Sequence, residues 1–264
     1  MVSMPVVICR PGARAAPLAE AIGAAGFAVE YGEVMALEAL PESRAMRSAW
    51  LDFDQFQRVV VTSPFAAECL AEALDLYWPQ LPVGVEYYGV GPSTAEALYN
   101  ALGVRVHVPP PRAGEPSSET LLSLGTLQRL EGQRTLLVAG EGGRTLLAET
   151  LAERGARLTH LAVYRRRLLE PSPALQCRLR AGDYHALVVS SGEILEHLAR
   201  WCSHAALDQP LIVSSHRLAT LAGTLGFRVP VVASGATPAA LAAAVARARD
   251  PEETDVDHDD LEKG

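Results

Sequence analysis

Lysine is almost absent from this sequence. Lys263 is the single one, so 22 of the 23 basic residues are arginines. A Schiff-base lysine and a phosphate-loop lysine are therefore excluded from the folded part of the chain. Cysteine is also scarce, and the sequence has no CxxC pair; the four cysteines, Cys9, Cys69, Cys177 and Cys202, lie far apart. We interpret them as reduced core thiols of a cytosolic protein.

Long apolar runs are absent, so no stretch of the sequence is long enough to span a bilayer. The first residues, MVSMPVVICRPG, enter a short predicted strand and lack the regions of a signal peptide, which predicts a cytoplasmic protein. The formal charge of -8 comes mostly from residues 250–264, which carry eight acidic side chains and one lysine. We expect this acidic tail to be disordered. The rest of the chain is close to neutral, which favours neither a nucleic-acid partner nor a membrane surface.

Short apolar runs alternate with helical patterns along the remaining chain, whose 264 residues are 49% hydrophobic. The stretch VVVTSPFAAECL, from Val59, predicts a buried strand, a polar turn and a helix with Pro64 at its first position. The same unit recurs with short turns, which predicts an α/β fold with parallel sheets covered on both faces. One apolar helix is predicted from Thr120 to about Leu130.

Internal repeats predict two similar lobes. VGPSTAEALYNALGVRV from Val90 matches VSSHRLATLAGTLGFRV from Val213, and LAEAIGAAG from Leu18 matches LAETLAERG from Leu147. The order of these matches predicts a discontinuous lobe 1, residues 1–36 plus 168–249, and an uninterrupted lobe 2, residues 41–163. Residues 37–40 and 164–167 are then two linker strands that could pair as a hinge.

Polar turns follow the predicted strands in both lobes. The candidate binding residues in them are Thr62, Ser63, Ser93 and Thr94 in lobe 2, and Arg10, Ser190, Ser191, Gly192, Ser214, Ser215 and Thr237 in lobe 1. Strand ends and free helix amides attract anions, so we expect these turns to line one cleft that holds the carboxylates of a large polyanion without metal. Each Ser or Thr taken alone is better explained as a helix N-cap, and the whole set favours a shared site.

Three other motifs do not support the cofactor, metal or hydrolase sites that they could suggest. Residues 140–144, GEGGR, do not match GxGxxG and predict a tight turn rather than a dinucleotide site. His197, Cys202 and His204 fit no common zinc spacing. His216 follows two serines, but the sequence has no GxSxG elbow for a serine hydrolase.

Tyr164 begins the second linker strand, beside two arginines. Two interpretations stay open from the residues alone. The tyrosine packs between the lobes as a hinge side chain, or its phenol lies at the floor of the cleft and donates a hydrogen bond to a leaving hydroxyl.

Eight segments give the chain a resemblance to the uroporphyrinogen-III synthase family over nearly its whole length. They are VVVTSPFAA from Val59, YGVGPSTAEAL from Tyr88, SSETLL from Ser117, VAGEGGRTLLAETLAERGA from Val138, VYRR from Val163, VVSSGEIL from Val188, VSSHRLA from Val213 and GATPAALAAAV from Gly235. Their order and spacing together make the resemblance specific.

The resemblance implies two flavodoxin-like or Rossmann-like lobes with parallel sheets, joined by a two-stranded linker, with the first lobe discontinuous. It implies a cytoplasmic, monomeric lyase that takes hydroxymethylbilane, a linear tetrapyrrole with eight carboxylates, removes its terminal hydroxyl as water, inverts ring D through a spiro intermediate and closes uroporphyrinogen III. No cofactor or metal is implied, and hydroxymethylbilane synthase is the expected donor of the substrate by transient handover. The matching cleft positions are Thr62, Ser63, Thr94, Tyr164, Ser191 and Ser215, with Tyr164 assisting hydroxide departure; Phe65 and His216 receive no role.

Two alternatives come from other functional classes. A two-lobed protein could close on an anion without catalysis, although the absence of a signal peptide counts against a periplasmic binding protein of this kind. A two-domain glycosyltransferase would need a larger chain and a recognisable nucleotide site.

Overall fold

The structure is a computed structural model that describes residues 4–12, 15–110, 112, 116–143 and 145–248. The predicted acidic tail at 250–264 lies outside the described residues, as does Arg144. The chain divides into two compact units. Unit 1 takes its described residues from Met1–Ala36 and Arg167–Gly264, and unit 2 is Leu37–Arg166. Residues 37–40 and 164–166, which the sequence predicts as linkers, fall within unit 2 in this division.

Strands and helices alternate along most of the chain. The first three are β1 (Val6–Cys9), α1 (Ala15–Ala24) and β2 (Val29–Tyr31). The next are β3 (Met35–Ala39), α2 (Arg44–Leu51), β4 (Arg58–Val61), α3 (Pro64–Tyr77), β5 (Glu86–Gly89), α4 (Pro92–Leu102), β6 (Val106–His107), α5 (Ser118–Leu122), β7 (Arg134–Gly140), α6 (Leu146–Glu153) and β8 (Arg157–Leu168). The last are α7 (Pro173–Ala181), β9 (Ala186–Val189), α8 (Gly192–Ala199), α9 (His204–Leu207), β10 (Pro210–Val213), α10 (His216–Thr224), β11 (Val229–Val232) and α11 (Pro238–Arg247).

Unit 1 is built on a parallel sheet with the strand order β11-β10-β9-β1-β2. Successive side chains of a strand point to opposite faces, so each apolar strand supplies two cores. Val7 and Cys9 pack into one core with helices α7, α8 and α10. Val6 and Ile8 pack into the other core with α1 and α11. Continuous apolar strands are therefore needed here, because both faces of the sheet are buried.

Unit 2 follows the same rule with the strand order β3-β8-β7-β4-β5-β6. The pairs from β8 to β6 are parallel. Val59 and Val61 pack against α2, α3 and α4, and Val60 packs on the opposite face against α5 and α6. The predicted α/β fold with parallel sheets covered on both faces is confirmed.

Strand β3 lies at the edge of this sheet beside β8. The Leu40 N–H donates to the carbonyl of Val163, and the Leu169 N–H donates to the carbonyl of Val34, both at 2.9 Å. The residue numbers rise on one strand as they fall on the other, so the two strands are antiparallel. The segment predicted as a linker, 164–167, is the continuation of one twelve-residue strand, β8.

The predicted helix from Thr120 to about Leu130 is wrong in its length. Helix α5 ends at Leu122, and a single tight turn follows at Gly125–Leu127. In a longer helix, the carbonyls of this segment would accept hydrogen bonds from backbone N–H groups. Instead, the Arg154 guanidinium donates to the carbonyls of Leu122 and Leu127 at 2.7 and 2.9 Å. Those bonds come from a residue distant in sequence, so periodicity alone does not reveal the early end.

The strand order reverses direction at one place in each sheet. In unit 1 the place lies between β1 and β9, and in unit 2 it lies between β4 and β7. In open α/β sheets, ligands bind outside the carboxyl ends of the strands at such switch points. The turns after these four strands are therefore the first places to look for a site.

Candidate active site

The turn after β4 is built from Thr62 and Ser63. The Ser63 side chain accepts a hydrogen bond from the Ala66 N–H at 3.2 Å and so caps α3, whose first residue is Pro64. Proline costs nothing at that position because its missing N–H would be unsatisfied anyway. The Thr62 hydroxyl donates to the Val138 carbonyl of β7 at 3.4 Å. The turn is thus fixed to both strands of the unit 2 switch point.

Tyr164 completes this cluster from β8. The residue is 7% exposed, and its hydroxyl oxygen accepts a hydrogen bond from the Ser63 hydroxyl at 3.1 Å. The Phe65 ring meets the Tyr164 ring edge to face, with 5.2 Å between the ring centres and 84° between the planes. The two hydroxyls are 101 residues apart in the sequence. Ser63 and Phe65 both belong to unit 2, so Tyr164 packs inside that unit.

A β-bulge places Tyr164 at this position. Ala139 pairs with Ala162, but the next residue, Gly140, pairs with Tyr164, so β8 carries one extra residue there. The Glu141 N–H donates to the Tyr164 carbonyl at 2.7 Å and fixes the strand beyond the bulge. Bulges redirect side chains next to active sites, and this one directs the phenol toward the end of β4.

Gly140 provides the space for the ring. A Cβ atom at this residue would lie 2.5 Å from Tyr164 Cζ and 2.8 Å from the hydroxyl oxygen, distances that real Cβ atoms essentially never show. The sequence predicts a tight turn at a strand end for residues 140–144, and it does not predict a contact between Gly140 and a side chain. The close approach of Gly140 and the role of Phe65 were both missed, because both depend on the register between β7 and β8.

The turn after β5 holds two more candidates in different surroundings. Ser93 is exposed near the start of α4, whereas Thr94 is 2% exposed. Gly91 is the N-cap residue of this helix. The structure therefore brings Thr62, Ser63 and Tyr164 together and places the β5 residues in the neighbouring turn.

The unit 1 candidates follow three strands that pair in register. Cys9 pairs with Val189, and Val189 pairs with Val213. The next residues, Arg10, Ser190 and Ser214, therefore lie at the same edge of the sheet, and all three are half-buried. Arg10 and Ser190 flank the unit 1 switch point.

Helix starts account for the remaining unit 1 candidates. Ser215 caps α10 by accepting the Leu218 N–H at 3.4 Å, and Thr237 caps α11 by accepting the Ala240 N–H at 3.3 Å. Ser191 is the N-cap residue of α8, and Gly192 is its first helical residue. In the described part of the chain, the Ser191 hydroxyl makes no capping hydrogen bond. His216 is exposed.

The helix starts at these strand ends favour anions. As the structure describes them, the first turns of α3, α4, α10 and α11 contain no acidic side chain. The partial positive charge of each helix start is therefore not compensated locally. Two described helices that follow switch-point strands depart from this pattern, α8 with Glu193 and α6 with Glu149 in the first turn. A carboxylate near any of these uncompensated helix starts would be attracted to it.

The four cysteines are all among the described residues, and all are free thiols. Burial raises the pKa of Cys9 and raises that of Cys202 to about 12, so these thiols stay protonated. The prediction of core thiols is wrong for Cys177, which is exposed on α7. Its helix has a polar face there that the local composition did not reveal.

Metal sites and membrane-spanning helices are two further features. Among the described residues, no group of three or more histidine, cysteine or acidic side chains could hold a metal ion. No described helix combines the length and the apolar character needed to cross a membrane. The Nε2 atom of His197 lies 2.8 Å from the carbonyl oxygen of Leu169.

Comparisons with known proteins agree on one family. The family model described as HEM4, uroporphyrinogen-III synthase HemD, matches residues 16–243. Uroporphyrinogen-III synthase of Escherichia coli (strain K12) is 38% identical over 173 residues, which are 63% of this chain and 68% of that protein. The enzyme of the same name from Salmonella typhimurium is 38% identical over 166 residues, 61% of this chain and 66% of that protein.

Solved structures with the same fold carry the same name. Uroporphyrinogen-III synthetase from Helicobacter pylori 26695 matches with a TM-score of 0.60 at 14% identity, over 93% of this chain and 99% of that one. A mutant uroporphyrinogen III synthase from the extremely thermophilic bacterium Thermus thermophilus matches with a TM-score of 0.56 at 22% identity, over 93% and 98%. At these identities the likeness concerns the fold.

Proposed function

The chain belongs to the uroporphyrinogen-III synthase family, and on that premise we propose that it converts hydroxymethylbilane into uroporphyrinogen III. The reaction removes one water molecule, inverts ring D and closes the macrocycle, which makes the enzyme a lyase. The observation that carries the proposal is the Ser63–Tyr164 pair at the unit 2 switch point.

The first step is the loss of the terminal hydroxyl. The bond between the methylene carbon and the hydroxyl oxygen breaks, and the oxygen leaves with the pair of bonding electrons. The Tyr164 phenol donates its proton to this oxygen, so the leaving group is water rather than hydroxide. The pyrrole carbon that forms the final ring bond releases one proton, which restores the phenol. The net products are uroporphyrinogen III and water.

Ring inversion depends on positioning. A linear tetrapyrrole of this kind loses its hydroxyl readily and can close without help to the uninverted type I isomer. The enzyme needs to hold ring D so that its substituted carbon is attacked and the spiro intermediate forms. Such control needs many modest contacts, and it does not need a strong acid or base.

The strand-end turns supply those contacts in this proposal. Unit 1 offers Arg10, Ser190 and Ser214 at one edge of its sheet, and unit 2 offers Thr62 beside α3. Hydroxyls, uncompensated helix starts and one arginine suit the eight carboxylates of hydroxymethylbilane. Each contact replaces a hydrogen bond to water, so we expect each one to contribute only ~0.5–1.5 kcal/mol.

Further properties belong to the same proposal. We propose a monomeric, cytoplasmic enzyme that needs no cofactor and receives its unstable substrate from hydroxymethylbilane synthase by transient handover. The four free thiols are what a reducing compartment would maintain.

The test is to incubate the purified protein with hydroxymethylbilane and to separate the oxidised type I and type III products by chromatography. The proposal expects type III to form faster than type I forms in a protein-free control. Type I as the only product, at the spontaneous rate, would reject the proposal. Binding of hydroxymethylbilane without conversion would instead favour an anion-binding protein.

A further inference from the structure

Ser63 makes two hydrogen bonds, one as an acceptor and one as a donor. A backbone N–H can only donate, so the 3.2 Å contact with Ala66 uses a lone pair of the Ser63 hydroxyl. The hydroxyl has a single proton, and it is donated to the Tyr164 oxygen over 3.1 Å. Tyr164 is therefore the acceptor of this pair. The proton of its own phenol is not taken by Ser63.

The surroundings of Tyr164 leave the ring little freedom. Phe65 covers one part of the ring, Gly140 lies close to the hydroxyl end, and the residue as a whole is 7% exposed. With the ring fixed, the main remaining freedom of the phenol is rotation of its proton about the C–O bond. A donor on one side of the oxygen turns that proton to the other side.

We propose that Ser63 is a positioning residue that keeps the phenol proton of Tyr164 directed toward the leaving hydroxyl. The inference rests on the proposed function, and it changes the role that the sequence predicts for Ser63. Instead of binding a substrate carboxylate, Ser63 acts through Tyr164. The helix cap at Ala66 is compatible with this role, because it uses one lone pair of the Ser63 hydroxyl and leaves the proton for Tyr164.

A purely structural role for Ser63 is the competing explanation, and the chain offers a matched control for it. Ser172 caps α7 by accepting the Leu175 N–H at 3.2 Å, the same distance as in the Ser63 cap. Loss of either serine removes one cap. Only the loss of Ser63 also removes a donor to Tyr164.

The experiment is a double-mutant cycle on kcat and KM. We expect Ser63→Ala to lower kcat about tenfold with little change in KM, because one aligned hydrogen bond is lost from the transition state. Ser63→Thr, which keeps the hydroxyl, is expected to restore most of kcat. In a Tyr164→Phe background, Ser63→Ala should change kcat less than twofold, since there is no phenol proton left to direct. Ser172→Ala should lower thermal stability about as much as Ser63→Ala, with kcat unchanged.

A second measurement follows the hydrogen bond without turnover. Tyrosine labelled with carbon-13 at Cζ gives one resonance per tyrosine, and the one missing from Tyr164→Phe identifies Tyr164. This resonance should shift in Ser63→Ala and stay in place in Ser172→Ala. An unmoved resonance in Ser63→Ala would overturn the inference.

The outcomes separate the inference from the function on which it rests. If Ser63→Ala lowers kcat equally in both backgrounds, or raises KM with kcat unchanged, Ser63 acts on the substrate or the fold and the inference fails alone. If the wild type yields only type I product at the spontaneous rate, the proposed function fails, and the positioning role fails with it.

Discussion

Replacing Gly140 by alanine should displace the ring of Tyr164. The added Cβ would lie 2.5 Å from Cζ, 2.8 Å from the hydroxyl oxygen and 2.9 Å from Cε1 of Tyr164, whereas ordinary contacts begin at 3.4 Å. The ring must therefore move by about 1 Å, a displacement that can cost an enzyme about a hundredfold in rate. A movement of that size is also large enough to break the 3.1 Å hydrogen bond from Ser63.

Gly140→Ala should reduce both the stability and the activity of the protein. Overpacking of this kind costs ~1–3 kcal/mol of unfolding free energy, which urea denaturation followed by circular dichroism measures. We expect kcat to fall between about tenfold and a hundredfold, from the lost orientation of the phenol. In a Tyr164→Ala background the clash is absent, so the stability cost of Gly140→Ala should nearly vanish.

A glycine in open space serves as the control. A Cβ atom at Gly23 in α1 would meet no atom within 4 Å. Gly23→Ala should therefore raise stability by roughly 0.5–1 kcal/mol through helix propensity and leave kcat unchanged. The reasoning is refuted if Gly140→Ala keeps the stability and the kcat of the wild type, because Tyr164 would then not be held where the structure places it.

Three further predictions concern other parts of the chain. Tyr164→Phe should lower kcat by at least about a hundredfold, because the phenol proton is lost. Ser93→Ala, at an exposed position, should lower kcat no more than about tenfold. Equal small losses in the two variants would make Tyr164 a packing residue. A thiol reagent at pH 8 should modify Cys177 first and Cys9 last, because Cys177 is exposed and burial raises the pKa of Cys9. Mass spectrometry of peptides measures the order of modification, and early modification of Cys9 would contradict the prediction. Arg154→Ala should lower the free energy of unfolding, measured by urea denaturation, by about 2–3 kcal/mol, because two carbonyls lose a charged donor. A change smaller than the error of the measurement would show that the turn after α5 does not depend on Arg154.

The local elements could be predicted from the sequence because their signals are local. Serine before proline predicts the start of α3, and three β-branched residues before it predict the end of β4. The structure places the helix start at Pro64 and the strand end at Val61. The strand orders, in contrast, are set by pairings between residues far apart in the chain, which no window of sequence contains.

The site was only partly predictable for the same reason. Thr62, Ser63 and Tyr164 were each singled out, but their contact depends on one extra residue in β8 at the Ala139/Gly140 register shift. A bulge leaves little trace in a single sequence, apart from a glycine that could also mark a turn. The exposure of Cys177 was missed because helical position alone does not say which face is covered.

The isomer composition of the product, measured side by side for the wild type and Tyr164→Phe, tests the central claim most directly. The wild type should convert hydroxymethylbilane to type III product ahead of spontaneous closure. The variant should form type III more slowly, so that type I accumulates beside it. Equal yields of type III from both proteins would remove Tyr164 from the chemistry, and type I alone from the wild type would contradict the account as a whole.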